Sequence, residues 1–327
     1  MKISVIGSGS FGTALAMLLV NKGHDVILYG RNEVQIKMIE ATGGNHKYLP
    51  GVFLPKSLKV TSDLETAVTK RDLLVMAVPA QSFRDTAKKV SDITKETPVV
   101  NVAKGIETGT LKRMSEIAGE YFKGTPYACL SGPSHAEEVA RNLPTTVCAA
   151  SDDPEFAKTV QHVFMGDNFR VYTNDDLTGV ELGGSIKNVI ALCCGISDGL
   201  GLGDNAKAAL ITRGIAEMTR LGIAMGGKPD TFAGLSGIGD LVVTCTSMHS
   251  RNRRFGILLG QGMPMDQALE KIGMVVEGYT TQEAVNELAL KYNVEMPITS
   301  TLHRLLMGEI AAEECIGLLM GRKEKHE

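Results

Sequence analysis

Several features that mark particular classes of protein are scarce or missing in this chain. It contains no tryptophan, aromatic residues make up 5% of it, and its formal net charge is −3 over 327 residues. Chains that bind nucleic acids usually combine a strongly basic surface with aromatic side chains that stack on bases. The composition therefore predicts no nucleic-acid partner and no general attraction to anionic lipid, so that any anion site has to be local.

The six cysteines show no pattern that is typical of disulfide or metal chemistry. They form neither a CxxC pair nor the Cys/His spacing of a zinc site, and several lie in apolar segments. We therefore predict reduced, buried thiols, no metal site and a cytoplasmic location. The residues are Cys129, Cys148, Cys193, Cys194, Cys245 and Cys315.

Long hydrophobic runs are also lacking. No uninterrupted apolar run approaches the roughly 18 residues that a membrane-spanning helix requires. The apolar segment near the N-terminus, which loosely resembles a secretory signal, is interrupted by the glycine- and serine-rich stretch 7–12. We expect no membrane insertion.

That same stretch follows the first predicted strand, Lys2–Ile6, and precedes a helical segment. In such a GxGxxG turn the first glycine permits the tight turn, the second lets the backbone approach a pyrophosphate, and the third allows close contact between helix and strand. Asp25–Tyr29 supplies the second strand of a βαβ unit within about 30 residues. The segment therefore predicts a dinucleotide site that includes Gly7, Gly9 and Gly12.

The residues after the second strand indicate which dinucleotide is used. A site that prefers NAD usually has an acidic residue here, which binds the ribose 2′-hydroxyl, whereas this chain reads Gly30-Arg31-Asn32-Glu33. An arginine suits the 2′-phosphate of NADPH. We predict NADPH as cofactor, with Glu33 leaving the use of NAD open.

Further strand-like segments alternate with helical ones, and helices are expected at 13–21, 63–69 and about 154–164. The strands are expected at 58–61, 73–78, 98–103, 127–130, 145–150 and 169–172, which gives a sheet of about eight strands. In open α/β sheets, ligands bind beyond the carboxyl ends of the strands. Lys104 and the loop from Gly132 to Ala136 are placed there. For Lys104 the alternative is a solvated loop lysine. His135 is a candidate general base, as in many dehydrogenases, and a structural residue at a helix start is the alternative.

From Glu181 onward helical patterns dominate, with helices expected at 182–196, 206–225, 253–261, 265–271, 280–292 and 296–307. We therefore predict an α/β fold in which residues 1–178 form a Rossmann-type domain with a mostly parallel sheet. Residues 179–327 are predicted to form a nearly all-helical domain that binds substrate. The charged tail, residues 322–327, is expected to fray.

The first of these helices carries a lysine on an unusual face. Residues three and four apart are neighbours on a helix, so Gly183, Gly184, Lys187 and Ala191 share one side. A glycine in a helix interior costs roughly 1 kcal/mol relative to alanine, which indicates close approach by another backbone or by a ligand. Packing alone and a functional Lys187 are both compatible with this face.

Two irregular segments of the helical half carry polar residues. The glycine-rich stretch 231–240 ends in the carboxylate of Asp240, and Ser250-Arg251-Asn252-Arg253-Arg254 lies at a helix start. Arginine and asparagine at a helix N-terminus suit a small phosphate, because free N–H groups and a guanidinium converge there. A nucleic-acid patch, disfavoured by the shortness of the cluster, and a solvated basic turn are the alternatives.

Seven segments spread over both halves together resemble the bacterial-type NAD(P)-dependent sn-glycerol-3-phosphate dehydrogenases. They are GSGSFG, VAKGIE, SGPSHAEEVA, ELGGSIKNVIAL, GLSGIGDLVVTCTS, SRNRRFG and VVEGYTT. The resemblance runs from the first strand to about Met307. It implies a cytoplasmic homodimer that uses NADPH or NAD to reduce dihydroxyacetone phosphate reversibly to sn-glycerol 3-phosphate for phospholipid synthesis.

The resemblance also implies roles for individual residues. It makes Lys187 the proton donor or acceptor, with Lys104 and Asp240 near the reacting carbon. The implied substrate-binding residues are Lys104, Gly132, Ser134, Lys187, Asp240, Ser250, Arg251 and Asn252. The implied cofactor-binding residues are Gly7, Gly9, Ser10, Phe11, Gly12, Arg31, Lys104, Ala136, Arg251, Val275 and Glu277.

Two other functions share part of this pattern. A β-hydroxyacid or 6-phosphogluconate-type dehydrogenase has the same two-domain plan and a helical lysine, but the GIGDLVVTCTS and SRNRR segments argue against it. A nucleotide-sensing regulator would bind NADPH without turnover. Such a regulator has no need of a lysine, a carboxylate and an anion site together.

Overall fold

The computed structural model describes residues 1–321 and 324, so the predicted fraying of 322–327 lies outside the described residues except at position 324. The chain forms two compact units. The first comprises residues 1–104 and 112–181, and the second comprises residues 105–111 and 182 onward. The sequence pattern did not show that the short segment Gly105–Leu111 joins the helical unit. The domain bounds 1–178 and 179–327 stay a prediction.

The first unit is built on a sheet of eight strands in the order β3-β2-β1-β4-β5-β6-β7-β8. Strands β1 to β6 are parallel, whereas β7 runs antiparallel to β6 and parallel to β8, which confirms the expected mostly parallel sheet. The strands are β1 (Lys2–Ile6), β2 (Asp25–Tyr29), β3 (Lys59–Thr61), β4 (Leu73–Met76), β5 (Val99–Asn101), β6 (Tyr127–Ser131), β7 (Thr145–Ala150) and β8 (Phe169–Asn174).

Seven helices connect these strands, and three of them begin at a side chain that accepts a hydrogen bond from the first turn. The capping residues are Asn32, Asp63 and Asp153. The helices are α1 (Ser10–Asn21), α2 (Glu33–Thr42), α3 (Leu64–Val68), α4 (Phe83–Ser91), α5 (Met114–Tyr121), α6 (Ala136–Ala140) and α7 (Pro154–Phe164). The sequence patterns indicated α1, α3, α7 and the helix start at His135 where α6 begins, and did not reveal α2, α4 and α5.

The topology brings several loops to one edge of the sheet. Strand β1 lies between β2 and β4, so the chain turns to one side after β1 and returns on the other side with β4. Ligands of doubly wound sheets bind where the strand order reverses in this way. Gly7 follows β1 directly, Lys104 follows β5, and Gly132 follows β6. All three therefore lie at the carboxyl ends of parallel strands.

The second unit is nearly all helical, as predicted. Its helices are α8 (Leu177–Gly199, whose first residues belong to the first unit), α9 (Gly203–Ala224), α10 (Pro229–Phe232), α11 (Asp240–Thr246), α12 (Arg251–Gly260), α13 (Met265–Ile272), α14 (Glu277–Lys291), α15 (Pro297–Leu306) and α16 (Glu314–Met320). The irregular stretch expected at 231–240 is mostly helical, because a π-helical turn at Leu235–Gly239 leads directly into α11.

Helix α8 is the core element of this unit. Among the described residues it is the one helix long and apolar enough to cross a bilayer, although 94% of its most apolar window is buried inside the protein. The helix contains the charged residues Glu181 and Lys187, so it has no uninterrupted apolar run of about 18 residues. Its mean hydropathy is nevertheless high. A buried core helix has the same length and composition.

Glycines allow α8 and α12 to cross at close range. A Cβ atom on Gly195 would lie 2.1 Å from the carbonyl oxygen of Arg253, and one on Gly256 would lie 2.2 Å from that of Leu192. Real Cβ atoms do not approach backbone so closely, so only glycine permits this crossing. The contact packs α12 along its length against the C-terminal half of α8.

The cysteines follow the sequence prediction only in part. None of the six cysteines, all of which lie among the described residues, is in a disulfide, and four of them are buried. Cys193 and Cys315 are partly exposed, which corrects the expectation that every thiol is buried.

Candidate active site

The glycine turn after β1 has the steric properties expected of a dinucleotide fingerprint. Gly7 has φ +121°, and a Cβ atom there would lie 2.3 Å from the carbonyl oxygen of Ala77. A Cβ atom on Gly12 would lie 2.0 Å from the carbonyl oxygen of Gly7. Both glycines are therefore required by the protein's own packing, the first for the turn and the third for the contact of α1 with that turn.

Gly9 differs from its neighbours because nothing in the protein requires glycine there. Its φ is −73°, which any residue adopts, and a Cβ atom would meet no protein atom within 4 Å. Helix α1 begins at the next residue, with no acidic side chain in its first turn and no side-chain cap. A cradle that a Cβ would fill, at a helix start with free N–H groups at Ser10 and Phe11, fits a pyrophosphate.

Arg31 lies between β2 and the cap of α2 and is exposed. Burial raises the pKa of the neighbouring Tyr29 hydroxyl, and the positive charge of Arg31 opposes that shift. Glu33, the acidic alternative for an NAD ribose, pairs at 2.6 Å with Lys37 on the outer surface of α2. An exposed pair of this kind is weak, so the pairing does not prevent Glu33 from binding a ribose.

Lys104, Gly132 and Ser134, all predicted to bind substrate, meet at one carbonyl group. The Lys104 ammonium and the Ser134 hydroxyl both donate to the carbonyl oxygen of Gly132, each at 2.9 Å. Lys104 is therefore held by the loop after β6 and is not a freely solvated loop lysine. Ala136 opens α6 and is buried, and His135 precedes it as the N-cap residue.

The second unit holds a buried ion pair. Lys187 Nζ donates to Asp240 Oδ1 at 2.5 Å and to Thr244 Oγ1 at 2.8 Å. Lys187 is 6% exposed and Asp240 is 1% exposed. A buried charge is costly unless it is paired and hydrogen-bonded, and here each charge has the other as a partner. The structure thus brings together the two predicted catalytic residues of this unit.

Close packing against α8 positions Asp240. A Cβ atom on Gly183 would lie 2.6 Å from the carbonyl oxygen of Ser236, so the π-helical turn that precedes Asp240 rests directly on α8. The predicted close approach at Gly183 is therefore made by another backbone. Thr244 was missed by sequence reasoning. It lies one turn after Asp240 on α11, a spacing that becomes visible only once 240–246 is recognised as a helix.

The start of α12 carries the predicted anion-binding residues. The Ser250 hydroxyl caps the helix by accepting from the N–H of Arg253 at 3.2 Å. Arg251 Nη1 donates to the carbonyl oxygen of Val275 at 2.9 Å, which places Arg251 beside Val275 and the first residue of α14, Glu277. Three predicted cofactor residues of this unit therefore lie together.

The amide of Asn252 serves the protein itself. Its Nδ2 donates to Asn188 Oδ1 at 2.9 Å, and its Oδ1 accepts from the N–H of Gly278 at 2.8 Å. The buried side chain thereby joins α8, α12 and α14. The sequence predicted a phosphate contact for Asn252 and did not indicate this connecting role, because the partners lie 64 and 26 residues away.

A second ion network holds the loop before α12. Arg253 Nε pairs with Asp198 Oδ2 at 2.7 Å, and its Nη1 donates to the carbonyl oxygen of Thr246, the last residue of α11, at 2.8 Å. Lys207 pairs with the other oxygen of Asp198 at 2.7 Å. Arg253 thus connects the ends of α8 and α11 to the helix that carries Ser250 and Arg251.

The predicted site residues fall into two sets. The first unit contains Gly7, Gly9, Ser10, Phe11, Gly12, Arg31, Lys104, Gly132, Ser134 and Ala136, and the second contains Lys187, Asp240, Ser250, Arg251, Asn252, Val275 and Glu277. Within the part of the chain that the structure describes, no group of three or more His, Cys, Asp or Glu residues is arranged to hold a metal ion.

Comparison with known proteins agrees with this division. Residues 2–157 match the family described as NAD-dependent glycerol-3-phosphate dehydrogenase N-terminus, and residues 176–317 match the family described as its C-terminus. Glycerol-3-phosphate dehydrogenase (NAD(P)+) from Moorella thermoacetica is 52% identical over 326 residues, which cover 99% of this chain and 97% of that protein. The Thermoanaerobacter sp. protein of the same name is 51% identical over 328 residues, covering 100% and 99%.

A solved structure extends the likeness to the fold. The crystal structure of glycerol-3-phosphate dehydrogenase from Coxiella burnetii superposes with a TM-score of 0.95 at 41% identity, covering 98% of this chain and 99% of that one. The two family matches, the full-length relatives and this structure agree. The chain belongs to the NAD(P)-dependent glycerol-3-phosphate dehydrogenase family.

Proposed function

We propose that this protein reversibly reduces dihydroxyacetone phosphate to sn-glycerol 3-phosphate, with Lys187 as general acid in reduction and general base in the reverse direction. The buried contact of Lys187 with Asp240 and Thr244 carries the proposal, because it holds a proton donor and a positive charge in a fixed position. The relatives' name, glycerol-3-phosphate dehydrogenase (NAD(P)+), supports the substrate. The product would feed glycerophospholipid synthesis.

Reduction of a ketone requires a hydride at carbon and a proton at oxygen. The nicotinamide of NADPH or NADH supplies the hydride when the cofactor is bound. Lys187 stabilises the developing negative charge on the oxygen and transfers a proton from Nζ to it, which leaves the lysine neutral. Asp240 balances the ammonium before transfer and Thr244 orients it. Solvent then returns the proton to Nζ.

The phosphate of the substrate needs a separate anchor. In the proposal, it binds at the start of α12, where the positive end of the helix dipole and the Arg251 guanidinium both attract an anion. The hydrogen bond from Arg251 to the Val275 carbonyl limits the motion of the guanidinium. Binding energy from the phosphate then helps to orient the carbonyl at the reacting end.

The cofactor is proposed to bind in the first unit. The glycine turn and the start of α1 hold the pyrophosphate, Arg31 binds the 2′-phosphate of NADPH, and Lys104, whose ammonium is held by the Gly132 carbonyl, contributes positive charge near the reacting carbon. Val275 and Glu277 complete the proposed cofactor contacts. In this proposal residues 1–178 bind the dinucleotide and residues 179–327 bind the substrate.

The proposal also includes a homodimer in the cytoplasm, as the family resemblance implies. Light scattering coupled to size-exclusion chromatography measures the mass of the assembly, and a mass of one chain would contradict the dimer. Fractionation of the native cells tests the location. Neither result bears on the chemistry of Lys187.

The decisive experiment follows the absorbance of NADPH on addition of dihydroxyacetone phosphate, with chiral analysis of the product. We expect rapid oxidation of NADPH and formation of sn-glycerol 3-phosphate. The matched control substrate is dihydroxyacetone, which lacks the phosphate and should react poorly. Binding of NADPH without turnover would instead favour a nucleotide sensor, and turnover of a β-hydroxyacid would favour the related dehydrogenases.

A further inference from the structure

The peptide between Ser8 and Gly9, inside the dinucleotide turn, is held from one side by two side-chain amides. Asn45 Nδ2 donates to the carbonyl oxygen of Ser8 at 2.9 Å, and Gln35 Nε2 donates to the same oxygen at 3.1 Å. We propose that Asn45, assisted by Gln35, is a positioning residue that sets the orientation of this peptide for pyrophosphate binding. The inference rests on the proposed cofactor site at Gly7–Gly12.

The geometry of the peptide bond transmits this contact to the ligand side. No peptide bond among the described residues is cis, and in a trans peptide the C=O and N–H groups point in opposite directions. With the Ser8 oxygen directed to Asn45 and Gln35, the N–H of Gly9 points away from them. Gly9 is conformationally permissive, so the two amide donors restrict a rotation of this peptide that the glycine itself would allow.

Asn45 is built into the protein as a rigid donor. It is 1% exposed, and its Nδ2 also donates to Thr13 Oγ1 on α1 at 2.8 Å. Its Oδ1 accepts from Gln35 Nε2 at 3.3 Å. An amide can donate twice and accept at the same time, a combination that neither a carboxylate nor an apolar side chain offers.

Gln35 extends the same network toward the nucleotide-selective segment. It lies in the first turn of α2, and its N–H donates to the capping side chain of Asn32 at 3.0 Å. A Cβ atom on Gly30 would lie 2.2 Å from Ser8 Oγ, so the turn and the 30–32 segment are in direct contact. Gln35 therefore contacts both the turn of the proposed pyrophosphate site and the segment of the proposed 2′-phosphate site.

The test compares NADPH affinity with the stability of the cofactor-free protein. The neutral substitution Asn45→Leu removes a donor without adding charge, and Gln35→Met does the same at a less buried position. We expect each variant to raise the Kd of NADPH, measured by fluorescence titration, with about tenfold for Asn45→Leu because the orienting bond to Ser8 is lost. The kcat at saturating NADPH and the KM of dihydroxyacetone phosphate should change less than about twofold, because neither residue is proposed to contact the substrate or the reacting atoms.

The matched control is Thr13→Val, which removes the other acceptor of Asn45 and leaves the Ser8 contact in place. A purely structural network would lower Tm in Thr13→Val and Asn45→Leu alike while both bind NADPH as the wild type does, and that result would overturn the proposal. If Asn45→Leu does not fold, Gln35→Met provides the test, because a wild-type Kd of NADPH in that variant would also overturn the proposal.

A further variant separates this inference from the cofactor site on which it rests. Gly9→Ala meets no protein atom, so it should fold normally and lose NADPH affinity. An unchanged Kd in Gly9→Ala would show that the cofactor site itself is wrongly placed. Weakened binding in Gly9→Ala together with unchanged binding in Asn45→Leu and Gln35→Met would refute the positioning role alone.

Discussion

At the scale of single residues, the buried pair of Lys187 and Asp240 carries the proposed acid–base chemistry. A lysine alone at 6% exposure would be unstable as an ammonium, and a carboxylate alone at 1% exposure would be equally unfavourable. Together, and with Thr244, they hold the ammonium group of Lys187 in a fixed position. Their contact spans 53 residues of sequence, so it depends entirely on how α8 and α11 pack.

Removing the proposed proton donor should abolish turnover and leave cofactor binding intact. We expect Lys187→Ala to lower kcat by several orders of magnitude, because both the proton and the stabilising charge are lost. The Kd of NADPH should stay within about twofold of wild type, the size of an ordinary distant effect. Stopped-flow absorbance measures the first quantity and fluorescence titration the second.

The control for Lys187→Ala is Lys112→Ala, which also removes a lysine from an ion pair, with Glu120 at 2.6 Å, in the other unit. It should retain wild-type turnover. Near-normal kcat in Lys187→Ala would remove this lysine from the mechanism.

The effect of replacing Arg251 should depend on whether the substrate carries a phosphate group. Because its guanidinium is proposed to bind the phosphate, Arg251→Ala should lower kcat/KM for dihydroxyacetone phosphate by about a hundredfold, the effect of losing a charge-assisted contact. The value for unphosphorylated dihydroxyacetone should fall far less. Equal losses for the two ketones, measured by steady-state kinetics, would refute a phosphate role.

Arg31 should set the preference between the two cofactors. We expect Arg31→Ala to lower the ratio of kcat/KM for NADPH to that for NADH by about tenfold or more, since only NADPH presents a 2′-phosphate. Glu33→Gln is the control at the neighbouring exposed position and should leave the NADPH value unchanged. If the ratio in Arg31→Ala equals that of wild type, Arg31 does not select the cofactor.

At the scale of elements, the crossing of α8 and α12 positions the site. Glycines four residues apart on each helix, Gly195 with Gly199 and Gly256 with Gly260, remove the side chains that would hold the backbones apart. Lys187 lies on one of these helices and Arg251 on the other. The distance between the proposed proton donor and the proposed phosphate anchor is therefore a property of helix packing.

Overpacking this crossing should affect stability and phosphate binding together. A methyl group at position 256 would lie 2.2 Å from the carbonyl oxygen of Leu192, so Gly256→Ala should destabilise the protein by about 1–3 kcal/mol. The start of α12 would also shift, which should raise the KM of dihydroxyacetone phosphate. Urea unfolding and steady-state kinetics measure the two effects.

Gly317→Ala provides the control for this crossing, because Gly317 lies in α16 and a Cβ atom there meets no atom within 4 Å. That variant should be neutral or slightly more stable, by up to about 1 kcal/mol. Similar behaviour of the two variants would contradict the packing argument.

At the scale of the whole molecule, each unit contains a buried glutamate that joins distant elements. Glu181 in the first unit accepts from the N–H of Ser115 at 2.8 Å and the hydroxyl of Tyr127 at 2.9 Å. Glu217 in the second unit accepts from the N–H of Ile298 at 2.6 Å, at the start of α15. Burial raises the pKa of both carboxyl groups. Nearby positive charge and the hydrogen bonds that the carboxyl groups accept only partly offset this rise.

These raised pKa values give stability a defined pH dependence. The pKa of Glu217 in the folded protein lies above its unfolded value of 4.5, so its contribution is fully present below that pH and is lost as pH rises through the folded pKa. Glutamine has no such transition. We therefore expect the Tm of Glu217→Gln, relative to wild type, to move upward as pH is raised from 4 to 8, as measured by calorimetry with about unit steps.

The exposed Glu283 on α14 supplies the control substitution, Glu283→Gln. A Tm difference between Glu217→Gln and wild type that stays constant with pH, or that moves in the opposite direction, would show that burial does not raise this pKa.

Much of the fold could be predicted from local pattern. The strands β1, β2 and β7 and helix α7 have the predicted bounds, because alternation, β-branched runs and capping residues are properties of neighbouring residues. The amphipathic α4, with Phe83, Ala87 and Val90 buried at helical spacing, was predictable on the same grounds and was missed. Helix α6, at five residues, is too short for periodicity to reveal.

The sequence by itself determined the dinucleotide turn, the order of sheet and helices, and the residue types available for catalysis, because each depends on a short stretch of chain. Only the tertiary structure decided which of them meet. The pairing of Lys187 with Asp240 and Thr244, the amides of Asn45 and Gln35 on Ser8, and the use of Asn252 as a connection between helices join residues that are far apart in sequence. Such contacts follow from close packing of whole elements, and a local pattern carries no record of its distant partner.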